Sequence, residues 1–205
     1  MKIVAVSQRV ARVAEHDECR DALDQRLIDF LLAGGFLPVP VPNTLCLHTH
    51  ETGADQDAMH GWLTRLSPQA IVLSGGNDIG EQPARDTTEA RLLDHARSRR
   101  LPVLGICRGM QMLAHAAGGQ LKPVTGHVRT RHRLSGQIGA EVNSYHAFAL
   151  ASCPPAFTVL ARSEDGEIEA IRHLSLPWEG WMWHPEREEV FAAHDLCRLK
   201  TLFGE

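Results

Sequence analysis

The chain has 205 residues, 43% hydrophobic and 22% charged, with a formal net charge of −4. That composition excludes a disordered chain and suits one α/β domain spanning residues 1–205. Lys and Arg are scattered, which argues against a nucleic-acid partner, and no apolar run is long enough for a bilayer span or a signal-peptide core, so the expectation is a cytoplasmic protein without a membrane partner.

In chain order, "KIVAVS" (2–7) is continuously apolar and reads as a buried strand. Apolar residues at Leu23, Leu27, Phe30 and Leu31 give helical spacing over 19–32, closed by Gly34-Gly35. "FLPVPV" (36–41) reads as an edge strand, because its prolines cannot donate to a ladder. A helix is predicted near 55–66, a strand over 70–76 that ends in a glycine turn, a helix over 87–100, a strand over 101–106 and a helix over 108–117. Alternating strands and helices with short turns predict a flavodoxin-like, doubly wound, mostly parallel sheet with helices on both faces. Beyond it, "AEVNSYH", "FTVLARS", "GEIEAIR" and "GWMWH" read as short strands forming a small antiparallel addition. Residues 150–157 read as a loop.

Five cysteines, Cys19, Cys46, Cys107, Cys153 and Cys197, include no CxxC pair and fit reduced thiols. Cys107 stands apart. It follows a strand, precedes a helix, and lies between Gly105 and Gly109 as G-x-C-x-G, the cysteine form of a nucleophile elbow. A helix N-terminus favours thiolate over thiol there. The other four read as ordinary small side chains.

A thiolate nucleophile needs a base, and the base needs an orienting group. His184 ends an apolar strand and is followed by Pro185 and Glu186. In extended chain, residues i and i+2 share a side, so Glu186 can hold the His184 ring and fix its tautomer. "LSGGND" (73–78) presents the Gly75 and Gly76 N–H groups after a strand. With the Arg108 N–H they can stabilise an oxyanion. Gln111 lies one helical turn past Cys107. His48 and His50, with His60 beyond, lack a fourth ligand at metal-site spacing and read as solvated; no metal or organic cofactor is expected. Trp178, Trp181 and Trp183 read as packing residues.

The order GG turn, Gly105-Ile-Cys107-Arg-Gly109-Met-Gln111 and His184-Pro-Glu186 resembles the class I glutamine amidotransferase superfamily. "ARDTTEARLL", "EVNSYH", "ARSEDGEIEAI" and "MWHPERE" point to its γ-glutamyl hydrolase-like branch, with likeness over nearly all of 71–188. The resemblance implies a Cys107–His184–Glu186 triad and an oxyanion hole from Gly75 or Gly76 and Arg108. It also implies that Gln111 and Asn143, Ser144, Tyr145 and His146 hold the glutamyl α-amino and α-carboxylate groups. His146 ranks below His184 as base because it lacks a carboxylate at i+2. Within the branch, the chain is similar to hydrolases that release glutamate from a γ-glutamyl phosphoramidate attached to a cytidine nucleotide, in capsule phosphoramidate biosynthesis. For such an anionic small-molecule substrate, Arg9, Arg108 and Arg187 are candidate phosphate contacts. Two alternatives stay open: a glutaminase component feeding ammonia to a synthase, and an inactive binding module. A homodimer is compatible with the hydrolase reading.

Overall fold

A computed structural model of the chain describes residues 1–47 and 58–204. The strands are β1 (Ile3–Ser7), β2 (Arg9–Val13), β3 (Glu18–Ala22), β4 (Leu37–Val41), β5 (Ala70–Leu73), β6 (Val103–Ile106), β7 (Leu121–Pro123), β8 (Val128–Arg133), β9 (Ser135–Gly136), β10 (Glu141–Tyr145), β11 (Phe148–Leu150), β12 (Phe157–Arg162), β13 (Ile168–His173) and β14 (Trp178–Trp181). The helices are α1 (Gln25–Ala33), α2 (Ala58–Leu66), α3 (Pro83–Arg99), α4 (Arg108–Ala116) and α5 (Ala193–Phe203).

Eight strands make the central sheet in the order β4-β1-β5-β6-β14-β13-β12-β9. The first five pair in parallel, and β13, β12 and β9 add in antiparallel fashion, as the predicted fold requires. Side-chain alternation explains the two helical layers. Val4, Val6, Ala70, Val72, Leu104 and Ile106 face one side, where α1 and α5 supply Leu27, Phe30, Leu31, Leu199 and Phe203. Ala5, Ile71, Leu73 and Val103 face the other, where α2, α3 and α4 supply Met59, Leu63, Leu92, Leu93, Met110 and Leu113. The proline-bearing β4 is an edge strand, as its composition demands.

Three boundaries differ from the sequence reading. The helix predicted over 19–32 splits: Glu18–Ala22 is a strand paired with Arg9–Val13, and α1 begins only after Asp24. The Asp24 side chain accepts from the Arg26 N–H and caps the helix, so the turn starts there despite Leu23 fitting the pattern. The helix α3 starts four residues early because Pro83 suits the first helical turn. The last parallel strand, β14, stops at Trp181, three residues short of His184. His48 and His50 lie outside the described residues, and His60 is exposed on α2. Among the described residues no helix is long and apolar enough to cross a membrane.

Candidate active site

The site lies at the carboxyl ends of β5, β6 and β14, where open parallel sheets bind ligands. Cys107 joins β6 to α4 with φ 51° and ψ −105°, a strained conformation for any residue with a Cβ. Its N–H donates to the Trp181 carbonyl at 2.7 Å, and its carbonyl accepts from the Gln111 N–H at 3.1 Å. The elbow depends on its glycines. A Cβ on Gly105 would lie 2.5 Å from the Gly109 backbone, and one on Gly109 would overlap the Leu73 carbonyl. Cys107 is 7% exposed.

His184 comes from the segment after β14, close enough to Cys107 that the sulfur raises the pKa of its ring. Its Nδ1 lies 2.6 Å from Glu186 Oε1. The pair therefore forms as expected, but by another route: Pro185–Arg187 is a 3-10 turn, not extended chain. Burial opposes charge on the ring, yet the interactions with Cys107 and with the hydrogen-bonded Glu186 outweigh it. The His184 pKa is pushed up to about 9. The neighbouring Trp181 and Trp183 rings stack at 5.3 Å and 3°, both buried, as packing residues. Trp178 is buried as well.

Opposite the elbow, Gly76 adopts φ +104°, open to glycine and strained for other residues. Arg85 holds this turn by donating to the carbonyls of Ser74 (2.7 Å) and Gly75 (3.1 Å). Asn77 clips it to the β2–β3 hairpin: its Oδ1 accepts from the Val10 N–H at 2.8 Å, and its Nδ2 donates to the Val10 carbonyl at 3.1 Å. Among the described residues, the N–H groups of Gly75, Gly76 and Arg108 have no acceptor. They are the three backbone donors that the sequence singles out.

Beside His184 opens a narrow cleft of about 20 Å³, walled by Arg9, Ser74, Gly75, His184, Glu186 and Arg187 among others. Cys107 does not line it. Arg9 is exposed and has no ion-pair partner among the described residues. The Arg187 guanidinium lies 4.6 Å over the Tyr145 ring, and Tyr145 stands edge-on to His184 at 5.8 Å.

Several predicted substrate contacts are committed inside the protein. The Arg108 guanidinium is not a phosphate ligand: it is 2% exposed and ion-paired with Asp86 and Glu89 of α3. Burial, with Arg85 close by, lowers its pKa to about 9, against the pull of Asp86 and Asp78. Glu89 also accepts from Arg85 Nε (3.1 Å) and Ser7 Oγ (2.7 Å), so "ARDTTEARLL" is the buried buttress of the elbow and the glycine turn. Gln111 donates its amide to the Phe148 carbonyl at 3.0 Å. Asn143 clasps the His184 backbone, accepting from its N–H at 2.9 Å and donating to its carbonyl at 2.8 Å, with a second donation to Glu188 at 2.8 Å. Ser144 donates to the His127 carbonyl at 2.7 Å. His146 is buried against His127 and Glu169. The sequence reading missed Arg85, Asp86, Glu89 and Asn77 as site supports, although the motif holding the first three was visible. Cys19 and Cys197 are exposed, Cys46 is buried and Cys153 is half-buried; all are free thiols.

The family model of class-I glutamine amidotransferases matches residues 43–198. A γ-glutamyl-CDP-amidate hydrolase of Campylobacter jejuni is 32% identical over 126 residues, 58% of this chain and 63% of that protein, so the match spans less than two thirds of that relative. A glutamine-hydrolysing GMP synthase component of Methanothrix thermoacetophila is 36% identical over 153 residues, covering 66% of this chain and 84% of that component. A crystal structure described as a GMP synthase component, from Thermoplasma acidophilum, superposes with a TM-score of 0.72 at 19% identity, covering 100% of this chain and 94% of that one; it bears on the fold alone. With the elbow, the glycine turn and the paired His184 and Glu186 in place, the matched model spans most of the molecule, and the chain belongs to the class-I glutamine amidotransferase family.

Proposed function

We propose that the chain is a cysteine-dependent amidohydrolase that cleaves γ-glutamyl amides and releases glutamate. The observation that carries this reading is the His184–Glu186 pair, 2.6 Å apart, beside a Cys107 held on a strained elbow, with three backbone donors at hand that have no acceptor. The Cys107 thiolate attacks the γ-carbonyl, and the oxyanion takes hydrogen bonds from the N–H groups of Arg108 and of Gly76 or Gly75. His184, as imidazolium, gives its proton to the departing nitrogen. Water then attacks the thioester with His184 as base, and glutamate leaves. Glu186 holds the ring and offsets its charge throughout.

The finer reading is a nucleotide-linked γ-glutamyl amidate, released in the cytoplasm for capsule assembly. Likeness to the C. jejuni hydrolase supports it, as do Arg9 and Arg187 on the cleft wall, where a phosphate can meet them. Likeness to the GMP synthase component supports a second reading, a glutaminase that passes ammonia to a synthase. The test is a screen of the purified chain against glutamine, γ-glutamyl peptides, γ-glutamyl amines and γ-glutamyl-CDP-amidate, with Cys107→Ala as control. Fastest glutamate release from the amidate by the chain alone is expected. Glutamine turnover that appears only with an added synthase favours the second reading, and undiminished turnover by Cys107→Ala overturns both.

A further inference from the structure

A cluster outside the proposed site brings three imidazoles and one carboxylate together: His127 just before β8, His132 on β8, His146 just after β10, and Glu169 on β13. One ligating atom from each lies within 4.8 Å of the others. Glu169 is 0% exposed, and neither of its oxygens has a hydrogen-bond partner; the buried His132 Nε2 is unpartnered as well. A fully buried carboxylate left without hydrogen bonds is costly.

The tautomers sharpen this. His127 Nε2 lies 2.8 Å from Asp165 Oδ2, and His146 Nδ1 lies 3.0 Å from the Phe148 carbonyl. Carbonyls and carboxylates only accept, so both ring nitrogens donate there. In the neutral rings, His127 Nδ1 and His146 Nε2 then carry lone pairs. These two atoms face each other at 3.2 Å, and each lies 3.4 Å from Glu169 Oε1. With both rings neutral, three electron pairs converge on one point, an arrangement that a shared cation satisfies.

The spacing names the class of ion. Zinc bonds of about 2.0–2.1 Å in a tetrahedron place neighbouring ligands about 3.3 Å apart. The three short edges match that value, and the half-buried His132 closes in as the fourth ligand. The Asp165–His127 and Phe148–His146 pairs are the outer hydrogen bonds that orient metal-bound imidazoles.

We propose that His127, His132, His146 and Glu169 bind one zinc-class divalent cation, which staples the β8–β10 pair onto the central sheet. The consequence reaches the cleft, because β10 also carries Asn143, which clasps His184, and Tyr145, which stands against it. The sequence reading, confined to His48, His50 and His60, expected no metal.

The test is elemental analysis of untagged full-length protein after exposure to zinc and desalting, with melting temperature in parallel. About one zinc per chain is expected, with a higher melting temperature than the chelator-stripped protein. Cobalt loading should give the visible absorption of a tetrahedral site. The ion should persist in Cys107→Ala and be lost in His132→Ala, which removes the least buried ligand. The partly exposed Asp165→Asn should weaken zinc affinity by about 10- to 100-fold. Folded wild-type protein that keeps no zinc and shows no change in melting temperature overturns the proposal, as does zinc that leaves with Cys107→Ala and stays in His132→Ala. Neither readout depends on turnover, so the proposed activity and the metal site stand or fall separately.

Discussion

Replacing Asn143 by alanine separates two roles for this side chain, a contact to the glutamyl group or a clasp on His184. The structure gives it three hydrogen bonds, two to the His184 backbone and one to Glu188. Truncation leaves the buried His184 N–H without an acceptor, at about 1–3 kcal/mol, and removes two donor bonds worth about 0.5–1.5 kcal/mol each. The middle of those ranges adds to about 4 kcal/mol, or a melting temperature lower by about 8–16 °C in a domain of this size. A clasp also sets where the ring meets Cys107, and misplacement by about 1 Å costs about 100-fold in rate. Steady-state kinetics on the best substrate of the screen, with thermal melts alongside, should show kcat falling by about that factor and KM nearly unchanged. A KM raised tenfold or more with normal kcat and melting temperature would refute the clasp and return Asn143 to substrate binding.

Glu186→Gln removes the charge that, with Cys107, outweighs burial at His184. The wild-type alkaline limb of kcat/KM should fall near pH 9, and the variant limb should move to lower pH; an unshifted limb counts against Glu186 as the group holding the proton. Because the folded pKa exceeds the ordinary 6.5, the ring's contribution to stability is complete below pH 6.5 and is lost as pH rises to about 9, so pH-dependent melts should slope down over that window, less steeply in the variant. Glu89→Gln leaves Arg85 and Arg108 buried with one partner fewer. The expected cost is about 3–5 kcal/mol, seen as a melting temperature lower by about 6–20 °C; a change below about 2 °C would show that α3 does not hold the elbow.

What was legible in the sequence follows from how each segment meets its surroundings. Strands of the parallel half are buried on both faces, so "AIVL" and "VLGI" announce themselves as apolar runs. The β2–β3 hairpin offers no such signal: Glu18–Asp21 are exposed, and their pairing rests on main-chain bonds and on Asn77 from another loop. The same holds for β8, whose "VRTRHR" is mostly exposed. Cys107, His184 and Glu186 were readable because the elbow glycines and the His-Pro-Glu spacing are local. The burial of the Arg108 side chain was not, since its partners Asp86 and Glu89 come from α3. The histidine cluster was hidden for the same reason, with ligands spread from 127 to 169 at spacings set by strand pairing.

The stacked indoles of Trp181 and Trp183 end one residue before the imidazole partner of the sulfur. Two indoles stacked in parallel planes hold each other in a fixed, asymmetric setting. The near-ultraviolet dichroism of the chain therefore reports on that segment, and a change on substrate addition or metal stripping would mark its movement without any attached dye.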